Sequence, residues 1–201
     1  MPKPIPLCRS YPSRYGVPQI KAVDPRVFRV RYYTHCLACT FCHDWCCTEG
    51  VDVDRVHHAA IMAAADALEA FLGVPRSSWF TSAYEEDDEV PGGGSYRTAV
   101  VKGACVFLNR AGRGCRLHAF CVDQALDYHE LRSMVDCLFP ITYADGVLLV
   151  ADEVLDGSLV CLDTGPTVYR GLRHELEHYF GNAFVRELDA AETLVLRRHA
   201  R

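Results

Sequence analysis

The stretch Cys36-Leu37-Ala38-Cys39-Thr40-Phe41-Cys42-His43-Asp44-Trp45-Cys46-Cys47 carries five of the chain's eleven cysteines within twelve residues. A CxxC step places two sulfurs on one side of a tight turn, where both can reach a single ion. A third cysteine after two more residues extends the arc. Such density points to a metal, with this loop as the organiser of the structure around it. The expected architecture is α+β: a small, irregular, metal-centred domain with short antiparallel strands and several helices.

Cys36, Cys39, Cys42 and Cys46 follow CxxCxxCxxxC, the spacing with which bacterial ferredoxins present thiolates to a [4Fe-4S] cluster. Zinc sites more often bring two separated pairs together in a tetrahedron. An uninterrupted run therefore leans towards iron and sulfur, with Zn2+ as the other candidate. A disulfide knot, buried apolar cysteines and a redox CxxC pair are the competing readings. Adjacent Cys46 and Cys47 strain a single tetrahedral site, which leaves room for a second metal.

Composition bears on these alternatives. The N-terminus, Met1-Pro2-Lys3-Pro4-Ile5-Pro6, has no apolar stretch of signal-peptide length, so a cytoplasmic location is expected. In a reducing compartment many cysteines indicate metal or catalysis rather than bridges, and an odd total cannot pair completely within one chain. At 201 residues and 50% hydrophobic, the chain can bury a core without a staple. No apolar run approaches the ~20 residues of a membrane span. The net charge of -5 argues against nucleic acid. Arg26, Arg29, Arg31, Arg110, Arg113, Arg116, Arg197, Arg198 and Arg201 are scattered without interleaved aromatics and read as solvated faces. A protein partner or substrate stays open.

A single domain over 1–201 is expected, with an extended lead-in at 1–27, a cysteine-cluster core at 36–140 and a helical pair at 166–199. Phe28 to Tyr33 alternates as a short strand. Asp52 to Leu72 reads as a helix capped by Asp54, with an apolar stripe of Val56, Ala60, Ala63, Ala64, Ala67, Leu68, Phe71 and Leu72 ended by Gly73-Val74-Pro75. Glu85-Glu86-Asp87-Asp88-Glu89 before Pro91-Gly92-Gly93-Gly94 reads as a solvated, mobile connection rather than a calcium loop. Short strands follow over Tyr96–Val101 and Ala104–Leu108 around a Lys102-Gly103 turn, then a Gly112-Arg113-Gly114 turn and a helix over Ala119–His129. Phe139–Tyr143 and Val147–Ala151 flank a hairpin turn at Ala144-Asp145-Gly146. Thr167 to Arg198 reads as two helices broken at Gly181-Asn182.

Downstream cysteines recur as Cys105-Val-Phe-Leu, Gly114-Cys115-Arg-Leu-His118 and Cys137-Leu-Phe-Pro140. With the first cluster, this pattern resembles the cysteine-cluster family described as a zinc- or iron-chelating domain, over residues 36 to 140. The resemblance implies Cys39, Cys42, Cys46, Cys47, Cys105, Cys115 and Cys137 as thiolate ligands. It adds Cys36 as an eighth and places His118 at the aromatic-or-His position. His43-Asp44-Trp45 adds one residue ahead of the double cysteine, and Arg132-Ser133 stands where the family often has Arg-Pro. The family includes flagellin lysine methylases, so the resemblance implies methyl transfer as an alternative activity. Cys8, Cys121 and Cys161 lie outside the pattern and read as small buried hydrophobes. His43 is a candidate ligand or hydrogen-bond partner of a ligating sulfur.

His174-Glu175-Leu176-Glu177-His178 satisfies HExxH, in which two imidazoles on one helical face bind zinc and Glu175 acts as general base. A third histidine is missing: Phe184 occupies its place, with Glu187 or Glu192 as substitutes. The competing reading is an amphipathic helix that turns Val168, Leu172, Leu176, Tyr179 and Phe180 inwards. A metal-binding protein is the leading expectation, with a methyl-transfer enzyme or zinc hydrolase as alternatives.

Overall fold

The computed structural model describes residues 2–35, 39–42, 44–157 and 159–199. In chain order these form β1 (Ile5–Pro12), β2 (Gln19–Val23), β3 (Arg31–Tyr32), β4 (Asp52–Asp54), α1 (Arg55–Ala63), α2 (Ala65–Leu72), β5 (Phe80–Glu86), β6 (Gly94–Thr98), β7 (Val100–Val101), β8 (Ala104–Cys105), α3 (Arg116–Asp123), α4 (Met134–Leu138), β9 (Ile141–Ala144), β10 (Val147–Val150), α5 (Asp152–Leu155), β11 (Leu162–Thr167), α6 (Val168–Phe180) and α7 (Asn182–His199). The protein is α+β, with short and mostly antiparallel strands in small sheets. Its contacts divide the chain into two compact units, where the sequence reading placed one domain. One unit is central, His35–Cys137; the other is discontinuous, running up to Thr34 and again from Leu138.

The central unit is built on a core of Val53, Ile61, Leu68, Leu72, Trp79, Phe107, Leu117, Phe120 and Leu131. Asp54 caps α1, its Oδ1 accepting the His57 N–H at 2.9 Å. A carboxylate there satisfies one of the first-turn donors that have no intrahelical partner. The single expected helix is two, divided at Ala64, and α2 ends at Gly73 in the left-handed region. The buried row is His57, Ile61, Ala65, Leu68 and Leu72. Val56, expected in the stripe, is 40% exposed. Burying Ile61 with the two leucines removes more apolar area from water than burying the alanine row would.

Strands β4, β6 and β5 form an antiparallel sheet in that order, with Val53 opposite Tyr96 and Glu86 opposite Gly94. Glu85 and Glu86 lie in β5 rather than in a connection, and Asp87 and Asp88 continue exposed into the turn, with Glu89 half-buried. A Lys102-Gly103 turn joins β7 to β8. Helix α3 begins before the expected Ala119 and ends early, with Ala125 in the left-handed region at φ 54° beyond it.

In the discontinuous unit a four-stranded sheet runs β1-β2-β10-β9. The segment expected as an extended lead-in is a paired hairpin: Tyr11 faces Ile20, and Ile5 faces Val23. Its prolines obscure the alternation in the sequence. They are tolerated because β1 is an edge strand, where a missing N–H costs no ladder bond. Strand β10 joins β2 in parallel, Leu148 opposite Val23. Asp145 and Gly146, both at positive φ (53° and 72°), turn β9 into β10. Thr167 Oγ1 accepts the Arg170 N–H at 3.3 Å to cap α6, and Gly181 separates α6 from α7. Buried Val168, Leu172, Leu176 and Tyr179 line the inner face of α6. Phe28 meets Tyr169 edge-on at 5.2 Å, and Tyr11 meets Phe184 at the same centroid distance.

Candidate metal centre

Between β3 and β4 the chain forms the cysteine loop of the central unit. Cys39 and Cys42 are buried there, 1% and 5% exposed, with their sulfurs within 4.8 Å of each other. Burial opposes ionisation of Cys39. The Cys42 thiol, the backbone N–H groups of Phe41 and Cys42 and the charge of Arg113 outweigh it, leaving the Cys39 thiol below its ordinary value. Cys42 is pushed up by burial and by the neighbouring Cys39 sulfur. The pair is thus arranged to carry negative charge on sulfur.

Arg113 reaches this pair from the 109–115 loop. Its Nη2 donates to Cys42 Sγ at 3.1 Å and its Nη1 pairs with Asp44 Oδ2 at 3.1 Å. Asp44, at φ 56°, accepts the Gly114 N–H at 3.4 Å on its side chain and the Cys47 N–H at 2.8 Å on its carbonyl. Arg113 Nε is buried and has no hydrogen-bond partner among the described residues. A buried donor without an acceptor is costly, so the surroundings of Arg113 suit a further anionic or sulfur acceptor. Two buried soft donors beside a fixed cation and a spare N–H fit a thiolate-bound metal.

Cys36 and His43 lie outside the described residues. Cys46 and Cys47 sit half-buried on the 3-10 turn Trp45–Cys47. Cys105 donates to Thr98 Oγ1 at 3.4 Å, Cys137 Sγ approaches Arg132 O at 3.9 Å, and Cys115 bridges to Leu108. The Arg132–Asp136 ion pair acts electrostatically on Cys115, whose thiol is pushed up to about 12, chiefly by burial. Burial also raises Cys105. Among the described residues, Cys46, Cys47, Cys105, Cys115 and Cys137 belong to no group of three donors within 4.8 Å. The central unit therefore brings Cys39 and Cys42 together. His118 packs against Tyr128, ring centroids 4.6 Å apart.

The described cysteines are all free thiols, so no disulfide knot is present among them. Cys121 is buried, as a small hydrophobe would be, and Cys161 is buried as well. Cys8 is not: it is exposed, and its N–H and thiol donate to Glu187 at 2.5 and 2.9 Å.

The HExxH segment lies on α6 with its parts committed elsewhere. Arg14 Nη1 donates to His178 Nε2, which sets a cation where a zinc ion would need to be. Glu175 is buried while the His174 side chain is 61% exposed. Of the substitute ligands, Glu187 accepts from Cys8 and Tyr11, and Glu192 pairs with Arg170. No group of three donors within 4.8 Å includes both His174 and His178 among the described residues. The geometry is that of an amphipathic helix.

Arg113 and Asp44 were not legible as parts of the site. Several of the arginines read as solvated faces instead anchor loops and helix ends: Arg116 Nη1 donates to Leu72 O at 2.5 Å, and Arg31 Nε to Gly165 O at 2.7 Å. The available signal was an arginine set between two glycines, where the chain can turn a long cationic side chain back onto the cysteine loop.

Fold and site together define an α+β protein with a buried cysteine pair able to hold a metal. No protein-family model, curated protein or solved structure matches the chain. No helix among the described residues is long and apolar enough to cross a membrane.

Proposed function

We propose that this chain is a metal-binding protein of the cysteine-cluster type, with a thiolate-bound centre in the 36–47 loop. The observation that carries the reading is the buried pair Cys39 and Cys42, sulfurs within 4.8 Å of each other, under the Arg113 guanidinium. Cys36 and Cys46 complete the first ligand set by their CxxCxxCxxxC spacing, and a [4Fe-4S] cluster is the occupant, with Zn2+ as the alternative. Cys46 and Cys47 lie on a short turn tied to Asp44, and metal sites commonly complete themselves only on binding. Cys105, Cys115 and Cys137 are packed in and around the central core. They stand as the further ligands implied by the family pattern. A cluster would supply electron transfer or a labile iron corner; zinc would tie the loop and contribute folding energy.

The protein's own contribution follows from its residues. Arg113 donates to Cys42 Sγ, and burial keeps water away from both sulfurs. The test is anaerobic purification with iron, zinc and acid-labile sulfide analysis and an absorbance spectrum. Brown protein with about four irons and four sulfides per chain supports the cluster. Colourless protein with stoichiometric zinc supports the structural form. Metal-free protein that also fails to take up either metal refutes the reading.

A further inference from the structure

We infer that Arg113 is the positioning residue of the cysteine centre, holding the Cys42 sulfur through one arm of its guanidinium and the Asp44 carboxylate through the other. The inference rests on the thiolate-centre reading above and adds to it a residue that lies outside the cysteine pattern.

Three observations converge. First, the contact is two-pronged: Nη2 to Cys42 Sγ and Nη1 to Asp44 Oδ2 are both 3.1 Å. The guanidinium is a rigid planar fork, so fixing one arm on a carboxylate aims the other. Second, its partner is itself fixed. The Asp44 side chain is 9% exposed, accepts from Gly114 N, and is carried on a left-handed residue. The Asp44 carbonyl accepts from Cys47 N, so the same residue orients the turn that bears Cys46 and Cys47. Third, the arginine retains a buried Nε–H with no acceptor among the described residues. A solvated surface arginine would show none of these features.

Chemically, several thiolates gathered on one ion accumulate negative charge in a site where Cys39 and Cys42 are almost wholly removed from water. A fixed cation that hydrogen-bonds a ligating sulfur offsets that charge and holds the sulfur's lone pairs in one orientation. Outer partners of this kind typically change metal affinity by 10–100-fold when removed. Arginine cannot itself ligate, so its effect is separable from loss of a ligand.

The experiment compares the full-length chain with Arg113→Gln, Arg113→Lys and Asp44→Asn, each reduced, loaded with Zn2+ and titrated with a competing chelator. Far-ultraviolet circular dichroism reports folding, and Co2+ substitution reports the sulfur-to-metal absorption bands. Arg113→Gln should bind Zn2+ roughly 10–100-fold more weakly and shift the Co2+ bands, with wild-type dichroism. Arg113→Lys, which restores charge without the fork, should recover part of the affinity. Asp44→Asn tolerates the left-handed turn but frees the guanidinium, and should weaken binding in the same direction. Should Arg113→Gln fail to fold, Asp44→Asn decides. Folded variants that hold Zn2+ within twofold of wild type, with unshifted Co2+ bands, overturn the role of Arg113 alone. A wild-type chain that binds neither Zn2+ nor Co2+ and takes up no iron-sulfur cluster on anaerobic reconstitution overturns the thiolate centre and the role of Arg113 together.

Discussion

Replacing Asp54 by alanine should destabilise the central unit by about 2–4 kcal/mol. The Asp54 and His57 side chains are 1% and 2% exposed. One carboxylate oxygen accepts His57 N at 2.9 Å; the other faces His57 Nδ1 at 2.6 Å and Met134 N at 3.4 Å. Losing the cap on α1 costs ~1 kcal/mol. Depriving the imidazole of its buried acceptor adds ~1–3 kcal/mol, because water cannot replace it. The other ring nitrogen donates to His129 O at 3.0 Å, so the ring cannot simply swing out without breaking a second bond. At ~2–4 °C per kcal/mol for a chain of this size, the midpoint should fall by roughly 4–16 °C. Both tryptophans, Trp45 and Trp79, belong to the central unit, so fluorescence-detected unfolding reads the right part of the molecule. Asp54→Asn, which keeps a capping oxygen, should cost less. A cost for Asp54→Ala no larger than the ~1 kcal/mol of a surface cap would refute the argument from the buried imidazole.

Other outcomes follow from the same geometry. The hydrogen bond from Arg173 holds the Asp189 carboxyl below its ordinary value against the opposing effect of burial, with Tyr169 adding a second donor. A depressed acid stabilises the fold above its unfolded value of ~3.9 and loses that contribution as pH falls through the folded value. Acid unfolding followed below pH ~4 should therefore be steeper in wild type than in Asp189→Asn; equal slopes would contradict the linkage. Gly94, at φ 152°, has no room for a side chain: a Cβ would lie 2.3 Å from Glu85 O. Gly94→Ala should cost at least ~1–3 kcal/mol in chemical denaturation and loosen the β5–β6 hairpin, whereas near-wild-type stability would show that the hairpin can shift. Glu175→Gln should leave zinc content unchanged and abolish no peptidase activity, and any hydrolysis lost with that substitution would revive the hydrolase reading.

What was legible in the sequence was local. Cys39 and Cys42 meet because a CxxC step can place two sulfurs together within one turn. The breaks at Gly181, Asp145-Gly146 and Lys102-Gly103 follow from residues whose backbone preferences act on the spot. What escaped was non-local or depended on competition between faces. The parallel pairing of β10 with β2 joins segments far apart in the chain, so the discontinuous unit leaves no continuous pattern. Prolines in β1 concealed a strand whose edge position makes them harmless. On α2 the expected Leu68 and Leu72 do turn inwards, whereas on α1 Val56 and the alanines formed a plausible stripe but the larger Ile61 decided which side was buried. Arg113 lies 71 residues from Cys42 along the chain, and its flanking glycines permit a turn without marking the cysteine that it reaches.

The central claim is that sulfur from the cysteine loop holds a metal. X-ray absorption at the metal edge of the anaerobically purified, metal-loaded chain tests it most directly, with Cys39→Ser/Cys42→Ser as the control. The account predicts a first shell dominated by sulfur, at ~2.3 Å if the metal is zinc. It also predicts loss of stoichiometric metal in the double variant. A shell of nitrogen and oxygen alone, or a double variant that keeps wild-type metal and spectrum, would contradict it.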